Sequence, residues 1–151
     1  MIGNADARYR LKVAQGFLDE AHQDVELKRW RSAVDNAQLA VENAAKAVLS
    51  LAGPVGRSHN PATQLRQVLR DKLFAAPQDG QAQRVAELAE MMGADVHIQT
   101  DYGDEAGGRT PWELFGETDG RRSLDMAQEA VNLARAIIQA VPNEPSATGT
   151  N

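Results

Sequence analysis

Between Trp30 and Leu51 the apolar residues Trp30, Val34, Ala37, Val41, Ala44, Val48 and Leu51 return at alternating steps of four and three. A strand sends successive side chains to opposite faces, whereas a helix brings positions three and four apart onto one face, so this run reads as helix. The spacing is that of consecutive heptad a and d positions and predicts one long helix over about residues 29–52. Ala33, Ala40 and Ala47 flank the stripe and allow a neighbouring helix to approach closely on that side. Gly53 followed by Pro54 predicts its end, a C′ glycine ahead of a residue that cannot continue a helix. A helix with so wide an apolar face must bury it against other helices, and the rest of the chain supplies them.

Upstream, Asn4 is an N-cap candidate, and Ala7, Leu11, Ala14, Leu18, Ala21 and Val25 form a second stripe, predicting a helix over about residues 5–26. Asn60 then Pro61 read as N-cap and first helical position of a third helix with Leu65, Val68, Leu69 and Leu73 inward, ending near residues 76–80. A fourth helix carries Val85, Leu88, Ala89 and Met92 and stops at Gly93. Residues 101–110, rich in Gly and Asp without periodicity, are expected to be an exposed loop. Thr110, Pro111 and Glu113 make a capping box that starts a short turn bearing Trp112, Leu114 and Phe115. A final helix is predicted over about residues 118–141 on Leu124, Ala127, Val131, Ala134 and Ile138. The fold class is all-α: an up-and-down bundle of four long helices plus a shorter helical element, one domain over residues 1–141, with residues 142–151 a disordered tail.

Composition narrows the functional classes. A chain of 151 residues suits one core without metal or disulfide staples. With no Cys there is no disulfide, thiolate zinc site or cysteine nucleophile, and the N-terminus MIGNADARYRLK lacks the apolar run of a signal peptide, so a cytoplasmic location away from membranes is expected. Lys and Arg number 16 against 21 Asp and Glu, a formal charge of −5, opposite to the footprint of a general nucleic-acid binder. Phosphate loops, dinucleotide glycine patterns and nucleophile elbows are absent.

The stretch AQLAVENAAKAVL (37–49), His59 ahead of a Leu-bearing helix, DYGDEAGGRTPWELF (101–115) and LDMAQEAVNLARAII (124–138), in that order, resemble the HEPN family of helical bundles. The resemblance implies a HEPN-like homodimer, often partnered with a small nucleotidyltransferase, with nucleotide or RNA chemistry at a cleft near the subunit boundary. Ribonucleases of that family use an Arg, four to six further residues, then a His, the cation orienting phosphate and the imidazole moving protons. Here His22, His59 and His97 follow their nearest arginines, Arg10, Arg57 and Arg84, by twelve, two and thirteen positions, so the motif is missing. Relatives also carry Arg before the loop tyrosine, where this chain has Asp101.

Five residues are candidates for ligand binding: Glu42, Lys46, His97, Asp101 and Tyr102. Glu42 and Lys46 read first as an ordinary i, i+4 pair on a solvated helix face, worth about 0.2–0.5 kcal/mol, and alternatively as a carboxylate in the subunit cleft beside a lysine that meets phosphate. His97, Asp101 and Tyr102 read first as loop-closing residues and alternatively as a loop-based polar site. Trp112 and Phe115 read as plugs of the bundle end, with an exposed tryptophan marking a partner surface instead. Asp19 and His22 share a helix face but lack the second half of a bundle metal site, so no metal and no cofactor is expected. Lys28, Arg29 and Arg31 read as cations complementing a helix C-terminus. Three functional readings follow: a noncatalytic homodimeric binding module associated with a nucleotidyltransferase-type partner and binding nucleotide or RNA, a ribonuclease or nucleotide-processing enzyme with an atypical site, and a structural helical adaptor.

Overall fold

The stripe from Trp30 to Leu51 becomes the central helix of the molecule, for which a computed structural model describes residues 4–55 and 60–142. In chain order the helices are α1 (Asn4–Glu26), α2 (Trp30–Ser50), α3 (Pro61–Arg70), α4 (Gln78–Met91), α5 (Ala94–Tyr102), α6 (Pro111–Leu114) and α7 (Glu117–Gln139). Among the described residues the only strand-like pairing is an isolated bridge between Asp104 and Arg109. No described helix is long and apolar enough to cross a membrane.

Helices α1, α2 and α7 pack against one another through alanine: Ala7, Ala14, Ala21, Ala37, Ala44, Ala127, Ala130 and Ala134 are fully buried there. Methyl side chains let helix axes come to the short end of the usual 8–10 Å spacing, and Leu18, Val41, Val48, Val131 and Ile138 fill what remains. Gly120 shows how tight the fit is. A Cβ there would lie 2.8 Å from Cε3 of Trp30, so the α7 backbone accepts the indole only because the residue is glycine. Helices α3 and α4 pack on each other and on α2, α4 also touching α7, while α5 and α6 meet the start of α2 at Arg31 and Asp35.

The predicted helices over residues 5–26, 29–52 and 118–141 match α1, α2 and α7 closely. Three expectations are corrected. The third helix ends at Arg70 rather than near residues 76–80, because Lys72 adopts a left-handed φ of 54°, and Leu73 is exposed instead of inward. The exposed loop predicted from Asp101 begins two residues late: residues 94–102 form α5, which ends at Gly103 with φ 70° and ψ −148°. Helix α5 buries Thr100 as its one fully enclosed side chain and presents no apolar stripe, so periodicity is blind to it. Of the two residues expected to plug the bundle end, Trp112 stands in solvent and Phe115 is half-buried, while Pro111 is buried behind the Thr110–Glu113 capping box. His59, Arg57 and residues 143–151 of the expected tail lie outside the described residues.

Candidate functional site

One face of α2 is polar throughout. Arg31, Asp35, Gln38, Glu42 and Lys46 follow at steps of four, three, four and four, a spacing that keeps them on one stripe. At its N-terminal end this stripe meets α5 and α6 through Arg31 and Asp35.

At the first end Arg31 organises its neighbours. Its Nη1 donates to the Thr100 carbonyl at 2.9 Å, and the guanidinium carbon sits 5.5 Å from the centroid of the Trp112 ring, a cation–π stack. The Thr100 hydroxyl lies 3.2 Å from Asp35 Oδ1 and 2.7 Å from the His97 carbonyl, so its single proton serves two acceptors. The His97 ring stands between carboxylates, Nδ1 3.8 Å from Asp35 and Nε2 3.9 Å from Asp101. These separations exceed hydrogen-bond length, so the contacts are electrostatic and act fully when the imidazole is charged. Among the described residues, Nε of Arg31 and Oε1 of Gln38 are buried without a hydrogen-bond partner. For Gln38, 1% exposed, an unmatched buried amide oxygen costs about 1–3 kcal/mol.

The other end holds Lys46, whose Nζ is 3.4 Å from Glu42 Oε2. Both are buried, at 8% and 6% exposure, which corrects the expectation of a solvated pair. Helix α2 packs against α1, α3, α4 and α7, and nearly all of its residues from Ala37 to Ser50 are buried, Glu42 and Lys46 among them. Lys46 keeps its ammonium inside because Glu42 supplies the counter-charge. Asp35 and Lys46 are eleven positions apart, about 16 Å along the helix. The five predicted residues therefore divide: His97 and Asp101 meet, Tyr102 turns outward beside them, and Glu42 with Lys46 forms a separate buried pair.

Several of the described arginines are held by partners within the chain. Arg66 pairs with Glu90 across the mouth of a cavity of about 690 Å³ between α3, α4 and the start of α5, and Arg70 donates to Gln67 there. Arg84 holds Glu129 through two bonds, 2.8 and 3.0 Å, with Glu87 at 2.9 Å. The hydrogen bonds from Arg84 outweigh partial burial and hold the Glu129 carboxyl below the usual carboxylate range, and the same bonds push Arg84 further up. His22 contacts Gln128 at 2.9 Å and Asp19 accepts from Gln15, so that pair belongs to the α1–α7 surface. Sequence reasoning read Arg31 as a cation complementing a helix C-terminus, whereas it bonds the Thr100 carbonyl and stacks on Trp112, and it missed Asp35 and Thr100. The i, i+4 spacing of Arg31 and Asp35 was readable, as were Gly93 and Gly103 bracketing α5, but which helix they face was not.

Comparison with known proteins agrees with this architecture. The crystal structure of TT1696 from Thermus thermophilus superimposes with a TM-score of 0.64 at 21% identity, covering 87% of this chain and 97% of that one, a likeness of fold. None of the curated proteins matches the chain. The HEPN domain family matches residues 7–144, which takes in every helix from the first stripe to the last, and the chain belongs to the HEPN domain family.

Proposed function

We propose that this HEPN chain is a noncatalytic, cytoplasmic binding module that acts as a homodimer, docks a protein of the nucleotidyltransferase type, and takes nucleotide or RNA only as a secondary ligand. One observation carries the reading: His97 is flanked by Asp35 and Asp101, while Arg31, the cation nearest in the same cluster, is committed to the Thr100 carbonyl and the Trp112 ring. Phosphodiester cleavage develops negative charge and needs a cation aimed at it. Two carboxylates beside the imidazole repel that charge, and acid–base participation by histidine, worth roughly 10²–10⁴ in rate, is of use only if phosphate can be held nearby. The partner class follows from the resemblance in helix α2 and in the segment from Asp101 to Phe115, and the exposed aromatics of that segment supply a surface for it.

The test incubates purified protein with labelled transfer and messenger RNA at low salt, beside His97→Ala. The expected result is intact RNA in both samples. Cleavage by the parent that His97→Ala abolishes would replace this reading with the ribonuclease one. Light scattering after gel filtration at micromolar concentration is expected to return twice the 16.3 kDa of one chain, and a clean monomer would remove the dimer.

A further inference from the structure

Trp112, Tyr102 and Ile98 are 72%, 64% and 53% exposed, large apolar side chains turned to solvent on one part of the surface. Their proximity is set by the backbone. A Cβ on Gly103 would collide with the Arg109 carbonyl and lie 2.9 Å from the Pro111 nitrogen, so the end of α5 rests directly on the start of α6. Tyr102 precedes that contact by one residue, Trp112 follows it by one, and Ile98 is one helical turn before Tyr102. Arg31 stacks on Trp112, yet the ring keeps most of its surface open.

The charge around these side chains selects the occupant. Residues 94–117 contain six carboxylates and one guanidinium, Arg109, a net charge of −5 that equals the formal charge of the entire chain. Arg109 is itself 3.8 Å from Asp104. The rest of the sequence is therefore neutral in sum, and the segment that bears the exposed aromatics carries a charge equal to that of the whole chain, with Arg31 of α2 the cation that reaches Trp112. A second copy presenting the same face would bring like charge against like charge, and a nucleic acid would be repelled.

Resting on the binding-module reading, we propose that the α5–α6 face docks a basic polypeptide segment of a partner protein, an arginine or lysine of which stacks on the open part of the Trp112 ring while Asp95, Asp101 and Glu105 neutralise its other cations. Aromatic side chains give large contact area with little entropy to lose, and a cation over an indole is held the more firmly the further it is desolvated. The face thus reads cationic side chains and rejects anionic ones.

The probe is a short fluorescent peptide of arginine-leucine-alanine repeats, measured by anisotropy on the full chain at low salt, beside the same peptide with glutamate for arginine and an oligouridylate of equal length. The arginine peptide is expected to bind, and Trp112→Ala to weaken it about tenfold. Trp112→Phe keeps most of the affinity, Asp101→Asn combined with Glu105→Gln flattens the salt dependence, and Tyr9→Ala, an exposed aromatic on α1, changes nothing. Absence of binding, equal binding by Trp112→Ala, an equal loss in Tyr9→Ala, or tighter binding of the glutamate peptide or the oligouridylate would each overturn the proposal. So would a Trp112→Ala chain that changes from dimer to monomer, since the face would then be a contact between copies. RNA cleavage lost in His97→Ala overturns the noncatalytic reading by itself and leaves the peptide result to be judged on Trp112.

Discussion

The α1–α2–α7 core and the α5–α6 face are held together by different physics. In the core, buried alanines, valines and leucines repeat at helical spacing, and each contact is one of many like it. On the face, a nine-residue helix with one fully buried side chain is fastened by Arg31 and Asp35 of α2 and by the close approach of Gly103 to the start of α6. Losing one methyl contact in the core leaves its neighbours in place, whereas losing Arg31 removes a hydrogen bond and an aromatic stack together. The lesson is that cooperative stability and accessible aromatic surface fall mainly in separate regions: the face with few tertiary fastenings exposes Tyr102 and Trp112, while α1 exposes Tyr9.

The comparison is broken most severely by disturbing the polar pair inside the core. Lys46→Met leaves the Glu42 carboxylate buried without its lysine, and a loss of about 3–5 kcal/mol is expected in urea unfolding, felt across all helices at once. A loss below about 1 kcal/mol would mean that the pair is hydrated and belongs with the surface after all.

Gly103→Ala comes next. Its φ of 70° with ψ of −148° is a region open essentially to glycine, and the added Cβ would meet the Arg109 carbonyl. About 1–3 kcal/mol is expected, confined to α5 and α6, so that hydrogen exchange quickens there while α1, α2 and α7 keep their protection. Uniform acceleration through all helices would show that the two regions unfold as one.

Arg31→Lys sharpens the same contrast with a smaller effect. An ammonium cannot both bond the Thr100 carbonyl and stack flat on the indole, so about 1 kcal/mol is expected, again read as faster exchange in α5, together with a change in the Trp112 fluorescence spectrum. Unchanged exchange would assign the fastening of α5 to Asp35 alone.

The smallest effect concerns the surface link between α4 and α7. Because Arg84 lowers the Glu129 carboxyl in the folded chain, the pair stabilises the fold above the ordinary carboxylate pKa, and that contribution is lost as pH falls through the lowered value. Both groups are well exposed, so screening takes most of the gain: Glu129→Gln is expected to lower the neutral-pH Tm by no more than about 3 °C and to make no difference in strong acid. A larger shift that persists in acid would come from packing rather than charge.

Much of this molecule is determined by its sequence alone. Stripes at steps of three and four, a terminating Gly53–Pro54 and a Thr110–Glu113 capping box specify α1, α2, α6 and α7, because periodicity and caps are local properties that a helix either satisfies or does not. The order of segments likewise carried the family, while the missing Arg-to-His spacing bore on the ribonuclease reading. Only tertiary structure decided the rest. Glu42 and Lys46 have the spacing of a solvated pair and become buried because other helices cover that side of α2. Helix α5 exists without a stripe because Arg31 and Asp35, more than sixty positions away in sequence, supply its hydrogen-bond partners. Trp112 stands exposed against Arg31 of α2 while Pro111 beside it is buried. In each case the deciding free energy is the desolvation or pairing of a group by residues distant in the chain, and no local pattern records which residues those will be.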